Sequence, residues 1–148
     1  LTRVSEAEAR AAQREAAPTG ERPIRVLLAD DHVIVRQGLA RLLQDEPGIE
    51  LVGEADDGRE ALALTQMVHP DVVLMDVSMP TMDGVEATRR ILAEQPDVKV
   101  IGLSMYKGEE MAEHMRQAGA MDYVSKGGDP AMLIRAVRRA AGQPVPQA

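Results

Sequence analysis

The chain has 148 residues, 45% hydrophobic and 28% charged, which suits one soluble domain with a core and leaves too little for two ordinary domains and a linker. A net charge of −7, only two aromatic residues and no cysteine exclude autonomous nucleic-acid binding, which needs clustered cations and stacking rings, and all disulfide or thiol chemistry. No apolar run approaches the roughly 20 residues of a bilayer span and LTRVSEAEAR has no apolar signal core, so a cytoplasmic protein is expected.

Residues 1–23 form an arm whose only apolar residue from Glu6 to Ala17 is Ala. Ser5 and Glu8 make a capping-box pattern, but a helix of roughly 12 residues standing alone is marginal. Pro18, Gly20 and Pro23 mark a linker, and a flexible arm is expected. From Ile24 short runs rich in Val, Ile and Leu alternate with amphipathic stretches. The runs are IRVLLA (24–29), IELVGEA (49–55), DVVLM (71–75), VKVIGLS (98–104) and MDYVS (121–125). They barely alternate between apolar and polar, as strands covered on both faces do. Between them helical spacing links Val35, Leu39, Leu42 and Leu43, then Ala61 to Leu64 with Met67 and Val68, then Val85, Thr88, Ile91 and Leu92. Met111, Met115 and Ala118 follow, then Leu133, Ala136, Val137 and Ala140, with Asp129 and Pro130 as cap and first turn of the last helix. Five strands alternating with five helices predict a doubly wound α/β domain over 24–141, a parallel sheet with helices on both faces. Residues 142–148 read as a Pro-rich linker or tail.

Ligands of open α/β sheets bind beyond the carboxyl ends of the strands. There the first strand is followed by Asp30 and Asp31, the third by Asp76, the fourth ends in Ser104 and the fifth precedes Lys126. Glu54, Asp56 and Asp57 close the second strand, which a doubly wound order moves to the sheet edge. Three crowded carboxylates call for a cation. With few protein ligands and no thiols, magnesium fits better than calcium or zinc. Asp31 and Asp76 would hold it directly, Asp30 through water, and the main-chain carbonyl of Ser78 stands beside them. A carboxylate so placed can act as nucleophile on a phosphoryl donor. Asp76 is the expected phosphoacceptor, with Lys126, Ser104 and exposed amides of the loop from Val77 to Pro80 donating to the phosphoryl oxygens.

LLADDH, LMDVSMPTMDG, IGLSM and DYVSK, in this order and spacing, resemble the receiver domain of bacterial two-component response regulators, across residues 24–141. DDHVIVRQGL and LSMY are similar to the NarL/LuxR branch, whose members join a receiver to a helix-turn-helix DNA-binding domain. The resemblance implies a flavodoxin-like fold with strand order 2-1-3-4-5, phosphorylation of Asp76 by a sensor histidine kinase, and a catalytic group of Asp30, Asp31, Ser104 and Lys126. It also implies a switch aromatic at Tyr123, a cis peptide bond after Lys126, and control of transcription by an output domain that this chain does not include. Ser78 and Tyr106 flank the path of water to the phosphoryl group and bear on its lifetime.

Three bland or rival readings stand beside this one. A phosphatase that forms an aspartyl phosphate needs a second acid two residues after its nucleophile, where Ser78 stands. A receiver that only binds partners would not need the acidic set, and a nucleotide-binding domain would carry a Gly-rich loop after the first strand. His32, His69 and His114 lie far apart and read as solvated or helix-start residues. The methionines from Met67 to Met105 read as core filler, Met111 and Met115 as an adaptable partner surface, and Met132 with Ile134 as a possible homodimer surface.

Overall fold

A computed structural model describes residues 22–79, 81–105 and 109–143. The Ser5–Glu8 capping pattern, Pro18, Gly20, Pro80, Tyr106 and the tail past Gln143 lie outside the described residues. The elements in chain order are β1 (Ile24–Ala29), α1 (Val33–Asp45), β2 (Ile49–Ala55), α2 (Gly58–Val68), β3 (Val72–Asp76), α3 (Gly84–Glu94), β4 (Lys99–Ser104), α4 (Glu109–Ala118), β5 (Asp122–Ser125) and α5 (Pro130–Ala140). All four strand pairings are parallel, in the order β2-β1-β3-β4-β5.

Because side chains alternate across a strand, each interior strand feeds two cores. Val26, Leu28, Val72, Leu74, Ile101 and Leu103 point toward α1 and α5, meeting Leu39, Leu43, Leu133 and Val137. Leu27, Ala29, Val73, Met75 and Val100 point the other way, toward Ala61 of α2, Ala87 and Ile91 of α3, and Met115 of α4. Residues of β3 are buried on both sides, whereas the edge strands β2 and β5 are partly exposed. The continuous apolar runs therefore follow from position: a strand between two neighbours and two helix layers has no wet face. Each fully buried Leu or Val contributes roughly 1.5–3 kcal/mol relative to exposure.

The helices start where the sequence offers an acceptor. Asp57 and Asp83 accept hydrogen bonds from the amides of Glu60 (2.7 Å) and Glu86 (2.9 Å), capping α2 and α3. Asp129 accepts from the Ala131 amide at 3.0 Å with Pro130 in the first turn, as its sequence predicts. At α3 the fit is tight. A Cβ at Gly84 would lie 2.0 Å from the Asp76 carbonyl oxygen, and the Gly84 amide donates to the Val77 carbonyl at 3.1 Å. Only a residue without a side chain lets this helix start press against the end of β3.

Several expectations are corrected. Ile134 is buried in the core under α5, so only Met132 of the suggested dimer pair is exposed. Met115 is fully buried among β-sheet residues, which leaves Met111 alone at the surface of α4. Met75 and Met79 are core residues, but Met67 and Met105 are exposed. On α2 the buried stripe runs through Ala61 and Thr65, the latter donating its hydroxyl to the Ala61 carbonyl at 2.7 Å. A polar side chain that satisfies itself against its own helix can occupy a core position that Met67, on the outer face, does not. All described peptide bonds are trans, so the cis bond after Lys126 is absent, and the roughly 2.5–4 kcal/mol that a non-proline cis bond costs is avoided. No helix among the described residues is long and apolar enough to cross a membrane.

Candidate functional site

The strand order places β1 and β3 side by side at the centre, so their carboxyl ends bring Asp30 and Asp76 together. Both side chains are almost wholly buried. Lys126, just past β5, reaches across with its side chain only 1% exposed. Its Nζ lies 3.0 Å from Asp30 Oδ2 and 3.1 Å from Asp76 Oδ2. Its backbone amide is fixed by donation to the Ser104 carbonyl at 2.7 Å, which ties the end of β5 to the end of β4. Ser104 itself is buried.

The remaining contacts orient the acids. Asp76 Oδ1 accepts from the Ser78 amide at 3.3 Å, and Ser78 is otherwise exposed at the turn. Asp30 Oδ1 accepts from the His32 amide at 2.9 Å, while the Asp30 carbonyl accepts from Arg36 Nη1 at 2.9 Å. Arg36 also faces Glu54 at 3.4 Å, so the acid at the end of β2 serves the edge and not the centre. Asp31 stands nearer the surface, its side chain 30% exposed.

Burial pushes the Asp76 carboxyl up to about 6, against the opposing pull of the Lys126 ammonium and the Ser78 amide. Three carboxylates against one ammonium leave two uncompensated negative charges when all are ionised. Asp30 Oδ2 and Asp76 Oδ2 are buried against the Lys126 ammonium, at 3.0 and 3.1 Å, and Asp31 Oδ1 is buried beside the His32 ring at 3.2 Å. Ligand atoms of Asp30, Asp31, His32 and Asp76 all lie within 4.8 Å of one another. Oxygen atoms that are buried, convergent and short of compensating positive charge fit a hard divalent cation.

The structure brings Asp30, Asp31, Asp76 and Lys126 together, with Ser104 at the adjoining strand end. Two members escaped the sequence reading. His32 begins α1, but its ring turns back toward the acids, with Nδ1 3.2 Å from both Asp30 Oδ1 and Asp31 Oδ1 and 3.8 Å from Asp76 Oδ2. The available signal was adjacency to the Asp pair, not spacing from other histidines. Arg36, one helical turn further, was hidden because its partner carbonyl belongs to the backbone. Tyr123 on β5 is half-buried, packed over Gly102 and against Met115, and its hydroxyl is buried without a partner among the described residues.

A five-stranded parallel sheet with acids and a lysine gathered at its carboxyl edge defines the receiver class of signalling domains. The chain belongs to the response regulator receiver domain family, whose model matches residues 26–138. It is 45% identical over 115 residues to the response regulator GacA of Pseudomonas viridiflava, covering 78% of this chain and 54% of that protein. The chain therefore spans about half the length of the curated relatives it matches. Among solved structures it is similar to a LuxR-family two-component response regulator from Aurantimonas sp. SI85-9A1, with TM-score 0.77, 39% identity and coverage of 82% of this chain and 87% of that one. It is also similar to a chain of the CheX-CheY-BeF3-Mg+2 complex from Borrelia burgdorferi, with TM-score 0.74, 28% identity and coverage of 82% and 90%. These relationships place the chain in the NarL/LuxR type of receiver.

Proposed function

We propose that Asp76 accepts a phosphoryl group from a sensor histidine kinase, with magnesium held by Asp30, Asp31, Asp76 and the Ser78 carbonyl. The observation that carries this reading is the ion pair between the buried Lys126 ammonium and Asp76 at 3.1 Å, beside two further acids. When bound, the magnesium ion neutralises charge on the transferring oxygens.

The chain's own groups supply the rest. An ionised oxygen of Asp76 attacks phosphorus, and its new P–O bond forms as the P–N bond of the donor phosphohistidine breaks. The imidazole leaves with the bonding electron pair and takes up a proton. Lys126 meets one phosphoryl oxygen, the Ser104 hydroxyl a second, and backbone amides of the β3–α3 turn the remainder. Water then attacks the phosphorus, the P–O bond to Asp76 breaks, and inorganic phosphate leaves as the carboxylate is restored, so the domain turns over only its own modification. The residue two past Asp76 is Ser78, which cannot serve as the second acid of a phosphatase.

Phosphorylation then shifts a two-state equilibrium. Ser104 moves toward the phosphoryl group, Tyr123 turns into the space released, and α4 settles into its active arrangement. We take the receiver domain to run over 24–141, with output through a DNA-binding domain beyond this chain controlling transcription, in the cytoplasm. The matched span of 26–138 and the end of α5 at Ala140 support those bounds.

The test uses beryllofluoride with magnesium, a phosphoryl mimic seen in the complex from Borrelia burgdorferi. Amide resonances of residues 76–79, 104 and 123–126 should shift in the wild type and stay in place in Asp76→Asn. Equal shifts in both chains would remove Asp76 as acceptor.

A further inference from the structure

The position of the His32 ring is not explained by its helix. His32 is the N-cap of α1, yet its side chain makes no capping hydrogen bond; its carbonyl alone serves the helix, accepting from the Arg36 amide at 2.8 Å. The ring instead places Nδ1 against three carboxylates, in hydrogen-bond contact with Asp30 Oδ1 at 3.2 Å, and the side chain is 55% exposed, so the acids and not packing hold it there.

The distances from Nδ1 are compatible with a place in a coordination shell. Ligands at about 2.1 Å from a common octahedral ion are about 3 Å apart when adjacent and about 4.2 Å apart when opposite. Nδ1 lies 3.2, 3.2 and 3.8 Å from one oxygen each of Asp30, Asp31 and Asp76, inside that range. Of those oxygens Asp76 Oδ2 also faces the Lys126 ammonium at 3.1 Å, and Asp31 Oδ1 is buried with no hydrogen bond among the described residues.

We propose that His32 Nδ1 is a further ligand of this cation site and tilts its selectivity away from magnesium toward borderline divalent ions of the manganese class. The inference rests on the reading of the acids as a cation site and adds what that reading lacks, a nitrogen donor. Magnesium favours oxygen donors and keeps its water, whereas imidazole nitrogen suits manganese and the later transition ions. A site of three carboxylates and one imidazole thus accepts magnesium through its oxygens and binds manganese through all four groups.

The experiment uses the untagged full chain and its His32→Ala variant, with manganese and magnesium chlorides as the ions. Pulsed electron paramagnetic resonance of bound manganese should show coupling to a nitrogen nucleus in the wild type that disappears in the variant. Manganese affinity should fall by about tenfold or more on substitution, comparable with losing even an outer-shell partner, and magnesium affinity should change far less. Bound manganese without nitrogen coupling, or equal losses for the two ions, would overturn the proposal and leave the acidic cation site standing. Tighter binding of both ions to the variant would also overturn it, showing that the ring blocks the site. Failure of the wild type to bind either ion would remove the cation site and this inference together.

Discussion

The ammonium of Lys126 and the carboxylate of Asp76 form a buried ion pair at 3.1 Å, although they come from strands separated by β4. Lys126 is shared with Asp30, so one cation restrains two acids and remains poised above the edge where a phosphoryl group would form. Replacing it by Met keeps the length and removes the charge. Phosphorylation of Lys126→Met by a small phosphodonor should slow by about a hundredfold, the scale of losing one preorganised electrostatic donor. Stopped-flow or mass-resolved time courses at pH 8 check this, and an unchanged rate would deny the lysine its role.

Asp76 also sets a pH dependence. Its folded-state value of about 6 lies above the ordinary 3.8, with burial the main cause. The folded chain therefore holds the proton more tightly than the unfolded chain, and the associated stability is full below about pH 4 and lost as pH rises through 6. By pH 7 the loss amounts to about 3 kcal/mol, from the shift of about two units. In EDTA, urea unfolding should find Asp76→Asn more stable than wild type at pH 7 by up to that amount, with the advantage fading toward pH 4. Added magnesium at pH 7 should narrow the gap by binding the ionised form. A pH-independent difference between the two chains would contradict this picture.

The fold was legible because each strand is short, apolar and followed by its helix, and because parallel sheets put their chemistry at one edge. Asp30, Asp76 and Lys126 were found from strand ends alone, and Glu54 was rightly assigned to the sheet edge, where it faces Arg36. Side-chain direction was less legible. His32 looked like a helix start, which its backbone is, while its ring answers to the neighbouring Asp30 and Asp31 and to Asp76 from β3. Ile134 sits one position from Leu133, and α5 is covered broadly enough by the sheet to bury both. Helical spacing marks the centre of a buried stripe but not its width.

Gly84 offers a steric test of how the acceptor strand is braced. A methyl group there meets the Asp76 carbonyl oxygen at 2.0 Å, so α3 must draw away from β3. Gly84→Ala should lower stability by about 2 kcal/mol, within the range for overpacked sites, and slow phosphorylation at the same time. Denaturant midpoints paired with phosphorylation rates read both effects. A fully stable, fully reactive variant would show that the close approach is unimportant.

Tyr123 packs over Gly102, where an added Cβ would lie 2.6 Å from its ring. Tyr123→Ala should accept a phosphoryl group at a near-normal rate but fail to transmit it. Beryllofluoride should then shift amides around Asp76 while those of residues 110–118 stay put. Full propagation to that helix without the ring would exclude Tyr123 as the switch.

The central claim is that the side chain of Asp76 becomes an acyl phosphate. Intact mass spectrometry after incubation with acetyl phosphate and magnesium tests it most directly. The wild-type chain should gain the mass of one phosphoryl group, and Asp76→Asn should gain none. A wild-type chain that stays unmodified, or an Asn variant that gains the same mass, would contradict the account.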